Sequence, residues 1–425
     1  MNIVFLTHYF PPEVNAPASR TYEHCREWAK AGHDVTVVTC APNHPAGRVY
    51  PGYRNRLWQV ESIDGIRVVR LWTYLAANEG VARRTVNYIS YMLSSLLVTP
   101  FLPAADVVVS TSPQFFCGLA GYGVSRIKRA PWILEIRDLW PDTISAVGAL
   151  RAAWLLRVLE ALETWAYRHA DQVIALTNAF KHHIQGRSVP SSRVDVITNG
   201  VDLSLFQRQP RDETLARQLG LEGKFVAGYL GTHGICHKLE TVLEAAKLLE
   251  HDRRVAFLLV GGGAERARLL ELKDRTGLAN VIMLDQQPRE RLPALWSVVD
   301  VGLVVLGRSD LFKTVIPSKI FEAMAMERPI ILGVDGESRR IIEEASAGIP
   351  ITPESAEELA QAVVTLADDP ERAREMGRRG RRHAEEVYDR RVLAARFERI
   401  MMAVLPDKSG VPSGAPLNES RRSQQ

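Results

Sequence analysis

The sequence lacks the short motifs that mark several large enzyme classes. Its first apolar run ends in LTHYFPP instead of the GxGxxG of dinucleotide-binding proteins, and Gly223-Lys224 lacks the earlier glycine of a Walker A motif. HExxH, GxSxG and Asp-x-Asp patterns are also absent, so a metal-held diphosphate is not indicated. If the protein binds a phosphate, protein groups must hold it.

Cysteine and net charge are scarce too. No CxxC pair occurs among the four cysteines, which argues against a disulfide scaffold and a zinc site: they are Cys25, Cys40, Cys117 and Cys236. Because 53 Lys and Arg nearly balance 49 Asp and Glu, the net charge of +4 does not indicate nucleic-acid binding. The N-terminal MNIVFLTHYFPP has no basic region and turns at two prolines too early for a signal peptide. We expect a cytosolic protein with reduced cysteines.

The hydrophobic pattern predicts two α/β domains. With 425 residues and 46% hydrophobic content, the chain can bury more than one core. Short apolar runs alternate with helical stretches, which favours parallel sheets with helices on both faces. Strands are predicted at residues 3–10, 33–39, 66–72, 106–111, 131–138, 171–177 and 194–199, and then at 224–231, 254–263, 281–285, 300–306 and 329–333.

Changes in composition predict the domain boundaries. We expect an N-terminal Rossmann-like domain, a polar linker, a second Rossmann-like domain, a charged C-terminal helix that could cross back to the first domain, and a disordered Ser/Gly/Pro-rich tail. These segments are residues 1–200, 201–222, 223–388, 389–405 and 406–425.

Residues 85–105 form an uncharged segment that follows Arg83 and Arg84. Its hydroxyl groups and two late prolines disfavour a transmembrane span. A buried or interface helix and a helix in contact with a membrane surface both remain open. Residues 151–157 are a second candidate for membrane contact.

The stretch TVIPSKIFEAMA, residues 314–325, is the strongest candidate binding motif. Ser318 can cap the helix that follows, and Lys319 adds a positive charge beside the free amides, an arrangement that suits a phosphate. Glu322 lies one turn further along, where a carboxylate could accept hydrogen bonds from a ribose diol. The alternative is an ordinary Lys-Glu pair at a solvated helix start.

The segment GTHG is a weaker candidate for phosphate binding. Gly231, Thr232, His233 and Gly234 follow a predicted strand at the edge where α/β sheets bind ligands. Glycine-rich strand ends are common, however, and GGG at residues 261–263 is another. Each could be only a turn.

The order of several motifs resembles the retaining, nucleotide-sugar-dependent glycosyltransferases of family four. These motifs are ITNGVDLSLF (197–206), GYLGTHGICHKLETVLEAAKLL (228–249), LLVGGGAERARL (258–269) and PSKIFEAMA (317–325). FLTHYFPPEVNAPASR and EIRDLWPDT are similar to the branch that builds bacterial O-antigen, capsule and colanic-acid-type exopolysaccharides, including fucosamine-transferase-like members. The resemblance covers about residues 1–405. It implies a GT-B fold, in which two Rossmann-like, doubly wound parallel-sheet domains face each other across a cleft.

The resemblance assigns roles on the donor side. Glu322 matches the glutamate that holds the donor ribose, and Ser318 and Lys319 match residues beside the diphosphate. The family's first glutamate falls at Thr314, so the paired carboxylates are missing. The family's phosphate-binding Arg and Lys fall at Thr232 and His237, with Lys238 adjacent to the second. Lys319 is then the main cation for the leaving group.

On the acceptor side, the family often has His-Asp where this chain has Arg137-Asp138. The resemblance implies that Arg137 binds phosphate or sugar and that Asp138 orients a hydroxyl, although the Asp-Leu-Trp-Pro run could equally be a helix start. Asn15, Ser19 and Arg20 are the polar residues of the loop that faces the cleft in the family.

Transfer with retained anomeric configuration is the reaction that the resemblance implies. The donor is expected to be a UDP-sugar, or alternatively a GDP-sugar, and the acceptor a lipid-linked glycan at the inner face of the cytoplasmic membrane. No cofactor or metal is expected, and the oligomeric state is not predicted. Two alternatives stay open: a nucleotide-sugar 2-epimerase of the same shape, and a silent binding subunit, suggested by Thr314 and Thr232.

Overall fold

The computed structural model describes residues 1–13, 15–76, 81–112, 114–139 and 153–406. Its first domain is built on an eight-stranded sheet, with strands β1 Asn2–Leu6, β2 Asp34–Cys40, β3 Trp58–Ile63, β4 Ile66–Leu71, β5 Val107–Thr111, β6 Trp132–Ile136, β7 Gln172–Ala175 and β8 Val194–Val196. Their order is β3-β4-β2-β1-β5-β6-β7-β8. The described helices of this domain are α1 Ala16–Lys30, α2 Val81–Val98, α3 Phe115–Lys128, α4 Ala153–His169 and α5 Asn178–Gly186.

The second domain has a six-stranded sheet of parallel strands. The strands are β9 Phe225–Leu230, β10 Val255–Val260, β11 Val281–Leu284, β12 Val301–Val305, β13 Ile330–Gly333 and β14 Gly348–Pro350, in the order β11-β10-β9-β12-β13-β14. The described helices that follow α5 along the chain are α6 Glu213–Gln218, α7 Glu240–Leu248, α8 Arg266–Thr276, α9 Leu292–Ser297, α10 Lys319–Ala325, α11 Glu337–Ala345, α12 Ala356–Asp368, α13 Pro370–His383 and α14 Arg390–Ala403. The predicted pair of α/β domains is confirmed.

Strand β10 shows why continuous apolar runs predicted the sheet correctly. All six of its residues are buried. Phe257 and Leu259 point into the core on one face of the sheet, while Leu258 and Val260 point into the core on the other. A strand covered by helices on both faces has no solvent-facing side, so its sequence need not alternate.

The edge strand β3 was not predicted, and it is the antiparallel member of an otherwise parallel first sheet. It pairs with β4 through the two-residue turn Asp64-Gly65, in which both residues have positive φ angles of 48° and 80°. Asp-Gly between alternating apolar residues is a strong hairpin signal. The signal was present in WQVESIDGIRVVRL, but a strictly parallel interpretation left no place for it.

The chain passes between the domains twice, and the two connecting segments lie next to each other. Val201 and Asp389 form a parallel β-bridge where the chain leaves and re-enters the first domain. At Gly200 a Cβ would lie 2.2 Å from the Tyr388 carbonyl oxygen, so a side chain has no room there. Beyond this point, the apolar side chains of the predicted linker pack into the core of the second domain: Val201, Leu203, Phe206, Ala216 and Leu221.

The last helix completes the first domain. Leu393, Phe397 and Met401 of α14 share a core with Trp28 of α1. The Trp28 indole N–H donates a hydrogen bond of 2.9 Å to the Ala394 carbonyl. The predicted tail lies outside the described residues from residue 407 onward.

Candidate functional site

A cleft of about 400 Å³ lies where the two domains meet. The start of α1 and the crossing segments line one side, and the ends of β9 and β10 with the start of α10 line the other. The polar lining residues are Asn15, Ser19, Asn199, Thr232, His237, Gln286, Gln287, Arg289, Ser318, Lys319, Glu322 and Arg390. The cleft therefore brings together cations, carboxamides and one carboxylate.

Lys319 is the first residue of α10 and is 7% exposed. Its Nζ has no hydrogen-bond partner among the described residues and lies 3.6 Å from the centroid of the Tyr229 ring. Burial lowers the pKa of Lys319 to about 7, although Glu322 and Cys236 oppose this shift. A buried cation without a hydrogen bond is unfavourable in isolation, and an anionic ligand would relieve that cost.

Glu322 is half-buried on the same helix and also lines the cleft. Burial raises the pKa of Glu322 to about 7, and the positive charge of Arg289 gives the largest opposing effect. Lys319 and Glu322 therefore titrate in the same range as a coupled pair. A ligand with both negative charge and hydroxyl groups could shift the two equilibria in opposite directions.

Arg289 links this pair to the first domain. Its guanidinium donates a hydrogen bond to Glu23 of α1, which is 1% exposed, and Glu23 also pairs with Arg390 at the start of α14. Arg390 also donates a hydrogen bond of 2.7 Å to the Gly200 carbonyl. Breaking a buried pair on one side leaves an uncompensated charge, so this cluster holds the walls of the cleft in place.

The glycine segments at the ends of β9 and β10 pack against each other. A Cβ on Gly261 would lie 1.9 Å from the Gly231 carbonyl oxygen, and one on Gly263 would lie 2.5 Å from the His233 carbonyl oxygen. The His233 N–H also donates to the Gly262 carbonyl at 2.8 Å. The close backbone contact between the two turns thus explains why glycine is needed at these positions. Gly231 also lines the cleft.

His233 and His237 lie on different sides of this turn. His233 is fully buried, neither ring nitrogen has a partner among the described residues, and it does not line the cleft. His237 lines the cleft. Burial and the charge of Lys319 lower the pKa of each histidine to about 4, with Arg266 adding to the effect at His233. Both imidazoles are therefore neutral at physiological pH.

The other predicted donor residues have more varied positions. Ser318 is exposed and lines the cleft, but its side chain makes no capping hydrogen bond, unlike the expectation. Thr232 is also exposed at the cleft, and Gly234 starts the turn that leads to His237. Lys238 has its Nζ 3.8 Å from Glu240 and does not line the cleft.

Thr314 does not replace the missing carboxylate within this cleft. It ends the short turn Leu311–Thr314, and its hydroxyl donates a bond of 2.7 Å to the Leu311 carbonyl. Thr314 is absent from the lining of the cleft. The neutral groups Asn199, Gln286 and Gln287 lie there instead.

The predicted acceptor residues separate into two kinds. Asn15 and Ser19 line the cleft, and the Asn15 side chain accepts a bond of 2.9 Å from the Ala18 N–H, so it also caps α1. Arg20 is 1% exposed and donates to Glu135 at 2.9 Å and to the Ile197 carbonyl at 2.8 Å. These bonds hold Arg20 inside the first domain, and it does not line the cleft. Its contact with the acceptor stays a prediction.

Arg137 and Asp138 also lie away from the lining of the cleft. Arg137 is 7% exposed, donates a bond of 3.2 Å to the Pro17 carbonyl, and has a pKa lowered to about 10 by burial. Burial raises the pKa of Asp138 to about 6, and its side chain lines a small pocket with Phe115 and Tyr167. Residues 140–152 of the predicted Asp-Leu-Trp-Pro helix start lie outside the described residues. The catalytic roles of Arg137 and Asp138 stay predictions.

Sequence reasoning missed Glu23, Arg289 and Arg390. None belongs to a motif with a characteristic spacing, and they meet only because three distant segments converge at the domain boundary. A charged residue in a segment of mixed polarity looks the same in a single sequence whether it is buried or exposed. Asn199 and the two glutamines were missed for the same reason.

Solved structures with this architecture identify the class of fold. The structure of Anabaena Alr3699/HepE in complex with UDP and glucose superposes on this chain with a TM-score of 0.69 and 19% sequence identity. The superposition covers 95% of this chain and 100% of HepE. The trehalose-6-phosphate synthase OtsA superposes with a TM-score of 0.72 and 12% sequence identity. That superposition covers 95% of this chain and 99% of OtsA. The fold is that of the GT-B glycosyltransferases, as predicted.

Family models then place the chain more closely. The Glycosyl transferase 4-like domain matches residues 15–200, and Glycosyl transferases group 1 matches residues 211–383. The chain belongs to the family-four glycosyltransferases defined by this pair of domains.

Two curated relatives extend over nearly the whole chain. WcaI of Escherichia coli (strain K12), named for colanic acid biosynthesis, is 25% identical over 85% of this chain and 91% of its own length. A GDP-mannose-dependent alpha-mannosyltransferase of Mycobacterium tuberculosis (strain CDC 1551 / Oshkosh) is 24% identical over 88% of this chain and 89% of its own length.

Proposed function

We propose that this glycosyltransferase moves a sugar, with retention of configuration, from a nucleotide-diphosphate sugar to a lipid-linked glycan in bacterial surface-polysaccharide biosynthesis. The observation that carries the proposal is the buried Lys319 ammonium, which lies without a hydrogen-bond partner in the cleft beside Glu322. A diphosphate on Lys319 and a ribose on Glu322 would satisfy both groups.

The proposed reaction depends on preorganised positive charge. As the sugar leaves, charge develops on the diphosphate, and Lys319 would stabilise it. The helix dipole adds little, because α10 has only seven residues. The acceptor hydroxyl would approach from the side of Asn15 and Ser19. We propose that the reaction needs no metal or cofactor, since Lys319 would supply the charge.

The relatives support the substrate classes unequally. The HepE complexes with UDP favour a UDP-sugar, and the GDP-mannose-dependent relative keeps a GDP-sugar as the alternative. The name of WcaI supports a role in polysaccharide biosynthesis. The neutral carboxamides Asn199, Gln286 and Gln287 are candidates for contact with the sugar, because Thr314 lies outside the lining.

Transfer of radiolabel tests the proposal. The protein is incubated with radiolabelled UDP-sugars, or GDP-sugars, and lipids extracted from a polysaccharide-producing bacterium, with and without EDTA. We expect label in the lipid fraction in both conditions. Conversion of the donor sugar without acceptor would indicate the epimerase instead. Nucleotide binding with no transfer from any donor would indicate a silent subunit and overturn the proposal.

We also propose that the enzyme works at the inner face of the cytoplasmic membrane. In the described parts of the chain, no helix is both long and apolar enough to cross a bilayer. Helix α2 nevertheless exposes Leu93 and Leu97, and Phe101 just beyond it lies 5.8 Å from the Trp58 ring, measured between centroids. Together with Leu57 these residues form an exposed apolar patch.

Vesicle binding tests this patch. The double substitution Leu97→Glu and Phe101→Glu is expected to reduce cosedimentation with anionic lipid vesicles by at least tenfold, because two exposed apolar side chains would each lose about 1.5 kcal/mol or more of burial. Leu248→Glu is the matched control, since Leu248 is an exposed leucine of α7 in the other domain. Equal loss in the control, or no binding by the unaltered protein, would contradict the proposal.

A further inference from the structure

A buried tryptophan in the second domain has an unused hydrogen-bond donor. Trp296 of α9 is fully buried, and its indole Nε1 forms no hydrogen bond of ordinary length and angle with any described residue. The buried tryptophans Trp28 and Trp132 instead donate hydrogen bonds of 2.9 and 2.8 Å, to the Ala394 carbonyl and the Ser110 hydroxyl. An indole N–H can only donate, so leaving it without a partner in the interior is costly.

The position of Trp296 places its ring beneath the cleft. Leu292, four residues earlier on α9, lines the cleft, and residues with this spacing share one face of a helix. The ring packs between β12 and α10, because a Cβ built on Gly302 would lie 3.2 Å from Trp296 Cζ3 and also 3.2 Å from the Ala323 Cβ. Ala323 follows Glu322 in the sequence. Trp296 therefore lies inside the domain, beside the helix that carries Glu322.

The Glu322 carboxylate is the acceptor with which this N–H interacts. Burial raises the pKa of Glu322, while the charge of Arg289, the N–H of Trp296 and the charge of Lys319 lower it, and the charge of Glu23 raises it further. Trp296 is the neutral donor of this set. Trp296 does not occur among the described residues that line the cleft, so it can act on a ligand only through Glu322.

A fixed neutral donor can direct the two oxygens of this carboxylate. The packing of the Trp296 ring fixes the direction of its N–H, and hydrogen bonds to an ionised acceptor are stronger than those to a neutral one. A carboxylate has two oxygens with about four acceptor sites. One oxygen of Glu322 can therefore bind the indole while the other accepts hydrogen bonds from hydroxyl groups in the cleft.

We propose that Trp296 is a positioning residue for Glu322: its indole N–H binds one carboxylate oxygen from inside the domain and turns the other toward the ribose of the donor. This inference rests on the proposed function. It makes Trp296 a determinant of the preference for a ribose with both hydroxyl groups, although the indole does not touch the sugar. The alternative is that Trp296 only fills the core beside β12.

The substitution Trp296→Phe tests the inference, because it removes the N–H and keeps an aromatic ring. UDP and its 2′,3′-dideoxyribose analogue are titrated into the unaltered protein, Trp296→Phe, Glu322→Gln and the double variant. We expect Trp296→Phe to reduce the preference for UDP over the analogue about 3- to 10-fold, the usual effect of one lost hydrogen bond. In the Glu322→Gln background it should have no further effect on this preference, because the two residues act as one unit.

The pH profile of UDP affinity gives a second measure. Its acid limb reflects protonation of Glu322, and loss of a donor that favours the ionised carboxylate raises the pKa of Glu322. We therefore expect Trp296→Phe to move the acid limb to higher pH by about 0.5 to 1 unit. The alkaline limb, which reflects Lys319, should stay in place. A residue that only fills the core would not move one limb alone.

Trp132→Phe is the matched control, since it removes the N–H of an equally buried tryptophan in the first domain. It should lower stability without changing the preference for UDP or the acid limb. If Trp296→Phe does not fold, Trp296→benzothienylalanine takes its place, because sulfur then replaces the N–H in a ring of the same size.

The outcomes separate the inference from the proposed function. If the unaltered protein prefers UDP to the analogue and a folded Trp296 variant keeps both this preference and the acid limb, the inference alone is wrong. Additive effects in the double variant also overturn it. If the unaltered protein shows no preference for UDP, the ribose contact of the proposed function is wrong, and the inference fails with it.

Discussion

Lys319→Met is expected to reduce sugar transfer by 100- to 1,000-fold, the usual effect of removing one preorganised group that stabilises developing negative charge. The same change should raise the thermal stability of the protein without nucleotide. Burial lowers the pKa of Lys319 from 10.5 to about 7, which corresponds to a cost on the order of a few kcal/mol for the charged form at neutral pH. A residue that destabilises the empty protein yet is required for transfer has a functional role.

The control for this variant is Lys247→Met, because Lys247 is an exposed lysine of α7 paired with Glu250. It should leave both transfer and stability nearly unchanged. A destabilised Lys319→Met protein with normal affinity for UDP would contradict the proposed role of Lys319.

Proton uptake gives a second signature of Lys319. With a pKa of about 7, its amine is mostly neutral at pH 8 in the empty site. A bound diphosphate favours the charged form and raises this pKa, so UDP binding at pH 8 should take up a proton. Calorimetry in two buffers with different ionisation enthalpies measures the uptake. It should disappear in Lys319→Met.

Glu322→Gln is expected to weaken donor binding about 10- to 100-fold, because a carboxylate makes stronger hydrogen bonds to ribose hydroxyls than an amide does. A double-mutant cycle that combines the Glu322→Gln variant with a change in the ligand isolates this contact. UDP should bind the unaltered protein more tightly than its 2′,3′-dideoxyribose analogue, and Glu322→Gln should abolish most of that difference. An undiminished difference would place the ribose elsewhere.

The pH dependence of Glu322 has the opposite sign to that of Lys319. Burial raises its pKa to about 7, so the carboxyl is mostly protonated at pH 6. Hydrogen bonds from ribose favour the ionised form and lower this pKa, so UDP binding at pH 6 should release a proton. Glu322→Gln removes this release. Affinity for UDP should therefore be highest near pH 7 and fall on both sides.

The predicted donor residues Lys319 and Glu322 line the cleft, whereas the predicted acceptor residue Arg20 does not. Lys319 and Glu322 are three residues apart on one helix, so a local pattern places them together. Arg20 was predicted to meet the acceptor because it is a polar residue of a loop, yet Glu135 and the Ile197 carbonyl hold it inside the first domain. Loop position does not tell whether an arginine will find an internal partner.

Local patterns in the sequence were sufficient to determine two α/β domains and the helix that carries Lys319 and Glu322, because apolar periodicity and turn residues act over a few positions. Only the tertiary structure decided that Lys319 lies over Tyr229, that Glu23 joins Arg289 and Arg390, and which ends of strands form pockets. Burial and charge pairing depend on contacts between segments far apart in the chain. These contacts set the pKa values of the site, and a single sequence does not encode them in any local pattern.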